Sequence, residues 1–215
     1  MRVISIFICV FLCGSLSEAC AEDTTPSFSQ KLDIQVRYDN RSNRPSREQY
    51  RLRYYPSLSL TSTWSVNSFI VTGDDFSSSH NTFGSDTTDY LYARRLYLRH
   101  ETNAGKTELG IIPTYKGRVS STGLSKDGWI TGIRHVRKLQ NNTALEIVVG
   151  QLANAEASEA FNVGEEDEYF EIEYSAKMGE RHSYEASFER MLNGTFARAE
   201  YRLRINEQDT AFIEL

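Results

Sequence analysis

Cysteine is missing from everything after residue 20. Cys9, Cys13 and Cys20 fall in the first 21 residues, where Arg2 opens an almost wholly apolar run from Val3 to Leu16, followed by Ala19-Cys20-Ala21 and the acidic Glu22. That succession is the pattern of a secretory signal peptide cleaved after Ala21. Residues 22–215 are then expected as a single mature domain with no thiol for a disulfide, a thiolate nucleophile or a cysteine-bearing metal site. An exported chain without disulfides takes its stability from a sizeable core or from a membrane. The apolar run is too short for a transmembrane helix, and Glu18 argues against a lipid anchor on Cys20. A basic stripe is missing too. The formal charge is −5 and does not change when Arg2 and Glu18 leave with the leader, which together with export excludes nucleic acid as a partner. No segment has the composition of an interdomain linker.

What the mature chain does have is alternation. Phe28, Leu32, Ile34, Val36 and Tyr38 share one parity while Lys31, Asp33, Gln35 and Arg37 take the other. Period two with β-branched and aromatic residues predicts a strand. Tyr50, Leu52 and Tyr54 oppose Arg51 and Arg53 in the same way, and Pro56-Ser57 reads as a tight turn into a third strand, Leu58 to Thr72. Further segments follow at 90–101, 106–114, 129–137, 143–152, 168–177, 182–191, 195–204 and, less regularly, 209–215. Connections alternate long and short: 39–47, 73–89, 115–128 and 153–167 are long, and those between them are short. Many segments of about nine to twelve residues exceed the roughly five to six of ordinary soluble strands and fit tilted membrane strands.

The polar parity carries charge. Lys31, Asp33, Arg37, Arg51, Arg53, Glu171, Glu173, Glu185, Glu189, Arg198, Glu200, Arg202 and Arg204 stand between apolar neighbours, and in a bilayer they would have to face inward. Phe170, Ile172, Tyr174, Tyr184, Ala186, Phe188, Ala199, Tyr201 and Leu203 would face lipid. The expected fold is therefore all-β, an antiparallel up-and-down transmembrane β-barrel of ten to twelve strands, with those thirteen charged residues lining its lumen. Closure is essential to that expectation, because an open edge in hydrocarbon leaves backbone groups unpaired. Three features go against it. Eleven segments is an odd number, so either one is not a separate strand or the chain shown lacks its end. Arg94 and Arg95 occupy both parities, and 209–215 is a poor final strand.

At class level the chain resembles the small bacterial outer-membrane β-barrel and porin-like proteins, over Phe28 to Arg204, through its leader, strand alternation, aromatics and loop rhythm. No diagnostic motif is involved, and Leu215 departs from the aromatic ending common in that class. The resemblance implies a Gram-negative outer-membrane location, contact with outer-membrane lipids and the barrel-assembly machinery, and passive passage of small polar solutes through a narrow charged lumen. Two alternatives stay open: a structural or surface-binding barrel whose lumen is plugged by a charge network, and an outer-membrane lipid-modifying enzyme. A soluble β-sandwich would satisfy the same alternation.

No catalytic, cofactor or metal site is expected. His80, His100, His135 and His182 are the only histidines, and His182-Ser183 are adjacent in a predicted strand, which points them to opposite faces. Asp74-Asp75 and Glu165 to Glu168 lack the glycine and ligand spacing of a calcium loop.

Overall fold

The computed structural model describes residues 25–41, 44–72, 81–83, 91–112, 130–152, 168–191 and 194–215. All of its regular structure is β: β1 (Ser27–Arg41), β2 (Arg44–Ser59), β3 (Trp64–Thr72), β4 (Asn81–Thr82), β5 (Leu91–Thr102), β6 (Gly105–Ile112), β7 (Ile130–Lys138), β8 (Thr143–Gln151), β9 (Tyr169–Met178), β10 (His182–Met191), β11 (Gly194–Arg204) and β12 (Thr210–Glu214). Each pairs antiparallel with the next, in the order β1-β2-β3-β5-β6-β7-β8-β9-β10-β11-β12, and the short β4 pairs with β2.

The first hairpin is longer than the sequence pattern suggests. β1 and β2 run for 15 and 16 residues, and the stretch expected as a long loop, 39–47, is largely ladder: Asp39 faces Arg47 and Arg41 faces Arg44. Pro56 does not turn the chain. It lies within β2 opposite Gln30, where the β1 register is continuous, whereas the β3 register skips Tyr55 and Pro56 between Tyr54↔Ile70 and Ser57↔Asn67. A proline without an N–H is tolerated inside a sheet only where no ladder bond is required of it. The turn comes later, at Leu60 to Thr63, where the Leu60 and Thr61 amides donate to the Trp64 carbonyl and the Trp64 amide to Thr61 Oγ1.

Among the described residues, local signals locate two further tight turns correctly. Asn141 and Asn142 both adopt φ 57 between β7 and β8, and Gly179 takes φ 67 between β9 and β10, a region that asparagine and glycine enter at little strain. The two parities of Arg94 and Arg95 have a structural cause. Phe69 faces Arg95 but Ile70 faces Ala93, so Arg94 is the extra residue of a bulge in the β3–β5 ladder. The segment 209–215 does form a strand, β12, paired with β11 from Glu200↔Glu214 to Arg204↔Thr210. The expected loops 115–128 and 153–167 and most of 73–89 lie outside the described residues, except that Asn81 and Thr82 continue the edge of β2 beyond the reach of β3.

The expected closed barrel is not what forms. β1 and β12 stand at opposite ends of the strand order, and among the described residues β1 pairs only with β2 and β12 only with β11. The sheet is open, with two edges and no enclosed lumen. Closure requires first and last strands to pair along their length, and among the described residues nothing pairs with the outer edge of the fifteen-residue β1. The resemblance to outer-membrane barrels and porins fails on this point. Alternation is present, but the property that defines the class is not.

Candidate functional site

Directly opposed residues of antiparallel neighbours share a face, so the register sorts the whole sheet. A row runs from Asn67 through Tyr97, Gly110, Gly132, Gly150 and Tyr169 to Met191 and Gly194. The same face carries all thirteen charged residues singled out from sequence: Lys31, Asp33 and Arg37 on β1, Arg51 and Arg53 on β2, Glu171 and Glu173 on β9, Glu185 and Glu189 on β10, and Arg198, Glu200, Arg202 and Arg204 on β11. With no lumen to line, they form a charged face. The β1–β2 group and the β9–β11 group are separated by five strands of the main path and do not meet across the sheet.

What joins them is a set of residues the sequence reading left out. Glu108 on β6 is 0% exposed and is surrounded by Arg99 Nη2 at 2.7 Å, Lys106 Nζ at 3.4 Å and Arg134 Nη1 at 3.4 Å. Arg134, 5% exposed, also reaches Glu146 through Nε at 2.7 Å. On β9 to β11, Arg198 holds Glu189 at 2.9 Å and Arg202 pairs with Glu200. On β1 and β2, Asp39 takes Arg47 at 3.0 Å and Asp33 takes Arg53 at 3.8 Å, while Arg51 donates to Gln35. The signal for Arg99, Glu108, Arg134 and Glu146 was present in the sequence, since each sits on the polar parity of its strand.

The band is not evenly charged. Taken together, β1, β2 and β5 carry more lysine and arginine than carboxylate on this face. In β8 to β10 the balance reverses, and Glu146 stands directly opposite Glu173 and Glu171 opposite Glu189, with Glu185 opposite Glu200 on β11. Like charges directly opposed destabilise a sheet. The Glu173 carboxyl is pushed up to about 8, first by burial and then by Glu185, Glu146 and Glu171. Burial raises Glu146 as well, with Arg134 opposing the rise. Tyr169 donates its hydroxyl to Glu171 at 2.7 Å, and burial beside that carboxylate holds it protonated.

Next to the charges, Tyr97, Ile112, Ile130, Val148 and Tyr169 form the buried apolar cluster. Its two tyrosines flank the three glycines of the central row. A Cβ on Gly132 would come within 2.2 Å of the Val149 carbonyl oxygen, and one on Gly150 within 2.5 Å of the Thr131 oxygen. Glycine is needed here because neighbouring backbones approach too closely for a side chain.

The opposite face is apolar and open. Ile34 and Val36 are 63% and 74% exposed, and Phe170, Phe188 and Tyr201 are exposed as well. Three of the histidines are held by neighbouring side chains: His182 Nδ1 lies 2.6 Å from the Tyr201 hydroxyl, His135 Nδ1 lies 2.9 Å from Thr107 Oγ1, and His100 stacks on Trp64. Ser183 faces Arg202, one residue along from the His182↔Leu203 pair, and so on the other face. His80 lies outside the described residues. Among the described residues no group of three or more His, Cys, Asp or Glu is arranged to hold a metal ion. No family model matches the chain, and no curated protein matches it.

The arrangement excludes the two functions first expected of the charged residues. Solute passage needs an enclosed lumen and so does a plugged one, and an open sheet supplies neither.

Proposed function

We propose that this is an exported protein of the Gram-negative outer membrane whose apolar sheet face rests against lipid and whose charged face takes small anionic solutes at its basic side. One observation carries the reading: charged side chains are buried on one face while large apolar ones are exposed on the other. Water favours the reverse, and a contiguous exposed apolar surface marks contact with a membrane or a partner. The leader of residues 1–21 supports export. The solute side rests on the excess of cations around Arg51 and Arg53, which suits carboxylates and phosphates.

Fractionation of a Gram-negative host expressing the full chain tests the location. The protein is expected in the outer-membrane fraction, extracted by detergent and retained through osmotic shock; release by shock contradicts the proposal. Flotation with lipid vesicles tests the face. Burying a phenylalanine is worth about 1.5–3 kcal/mol, so Phe170→Asp with Phe188→Asp is expected to lower the bound fraction about tenfold or more. Binding of citrate or inorganic phosphate tests the solute side. A charge-assisted hydrogen bond contributes about 1.5–3 kcal/mol, so Arg51→Glu with Arg53→Glu is expected to weaken either anion at least about tenfold. Unchanged binding removes the basic side from the function.

A further inference from the structure

The free edge of β1 carries a charge sequence that is complementary to itself in the antiparallel sense. Along the polar parity the strand reads Lys31, Asp33, Gln35, Arg37, Asp39, and the β2 register places these side chains on one face. In an antiparallel pairing of two copies centred on Gln35, Lys31 meets the partner's Asp39, Asp33 meets the partner's Arg37, and Gln35 meets the partner's Gln35. Two-fold symmetry repeats the first two contacts. On the opposite face the same register sets Leu32 against the partner's Tyr38 and Ile34 against the partner's Val36.

Neighbouring registers fail. A slip of two residues one way opposes Lys31 with the partner's Arg37, and a slip the other way opposes Asp33 with the partner's Asp39. A slip of one residue sets the charged parity of each copy against the apolar parity of the other. Charge thus selects a single register. Long exposed edges are normally protected by proline, by bulges or by charges that repel a second strand. β1 has no proline, its only register irregularity comes at the tip between Asp39 and Arg41, and its charges attract a second copy of themselves. Its apolar side chains are also among the most exposed of the described residues, Val36 above all. The short β12, Thr-Ala-Phe-Ile-Glu, has no comparable pattern.

We infer that the chain forms a two-fold dimer in which the β1 edges of two copies pair antiparallel about Gln35, joining two sheets into one. This does not rest on the lipid or solute reading, since it uses an edge and not a face.

Gln35→Cys introduces the only thiol of the chain after residue 21, at the position where the two-fold axis brings it opposite its own copy, within disulfide reach. Mild oxidation of the purified full-length mature chain is expected to give a covalent dimer at least about ten times faster than Asp209→Cys, which lies beside the other edge. A rate equal to that control overturns the proposal. Charge supplies a second test that does not depend on the thiol. Lys31 and Arg37 face the uncharged Tyr55 and Gln49 on β2, so Lys31→Asp with Arg37→Asp sets no like charge directly opposite on β2, at the loss of the 3.5 Å Arg37–Asp39 ion pair and of the Lys31 ammonium over the Tyr55 ring. That variant is expected to sediment as a monomer, while its mixture with Asp33→Lys/Asp39→Lys restores dimers as heterodimers. A wild-type chain that sediments as a monomer, or an acidic variant that still dimerises, overturns the proposal. Should the basic variant fail to fold, the Gln35→Cys rate and the sedimentation of the acidic variant decide alone.

Discussion

At the residue scale the molecule turns on how buried charge is matched. Arg134 is shared by Glu108 and Glu146, and removing one member of a buried pair costs about 3–5 kcal/mol because a charge is left uncompensated. Arg134→Ala is expected to lower stability by about that much in urea unfolding, and Arg134→Ala combined with Glu146→Ala by less. Glu173 sets the pH response. Its folded value of about 8 lies above the ordinary 4.5, so the folded chain holds a proton that the unfolded chain has released between those values. Its contribution is fully present below pH 4.5 and is lost as pH rises towards 8. Stability is expected to fall across that window, and Glu173→Gln is expected to flatten the slope. Thermal unfolding at a series of pH values checks both. The polarity of these residues could be read from sequence parity, whereas their partners could not. Glu108 and Arg134 are 26 positions apart in sequence, and only the register of β6 on β7 sets them face to face.

At the scale of elements the strands follow from period two, and the errors trace to residues with more than one meaning. Pro56 is a turn signal in most contexts, yet here it occupies the gap in the β2–β3 ladder. Pro56→Ala is accordingly expected to change stability by less than about 1 kcal/mol, whereas a proline acting as a turn former would be missed more. Gly132 is the converse case. Nothing local distinguishes it from a turn glycine, but it lies between Gly110 and Gly150 in the cross-sheet row. Gly132→Ala is expected to destabilise by about 1–3 kcal/mol, the range for forcing atoms into a filled space, with denaturant midpoints as the measure. The Arg94-Arg95 doublet was visible as a break in alternation, and the break is the β3–β5 bulge.

For the molecule as a whole, the decisive feature is that an alternating chain makes an open sheet. Strands paired on both sides, such as β7 and β8, are expected to hold their amide protons longest, and β12, bonded on one side only, to exchange first. Hydrogen exchange followed strand by strand measures this, and equal protection of β12 and β7 would contradict the open edge. The two sides of the sheet set its surroundings. One carries buried glutamates and arginines and the other carries exposed phenylalanine, isoleucine and valine, so the proposed lipid contact and the proposed solute contact fall on opposite faces and are tested by separate substitutions.

The sequence alone determined that the chain is all-β, which residues of each strand share a face, and where most tight turns fall, because side-chain parity and turn chemistry are local. Tertiary structure decided that the first and last strands stay apart, that Pro56 extends a strand, and that Glu108 gathers three cations. Each depends on which strands lie side by side and in what register, and period two is the same for every register, open or closed.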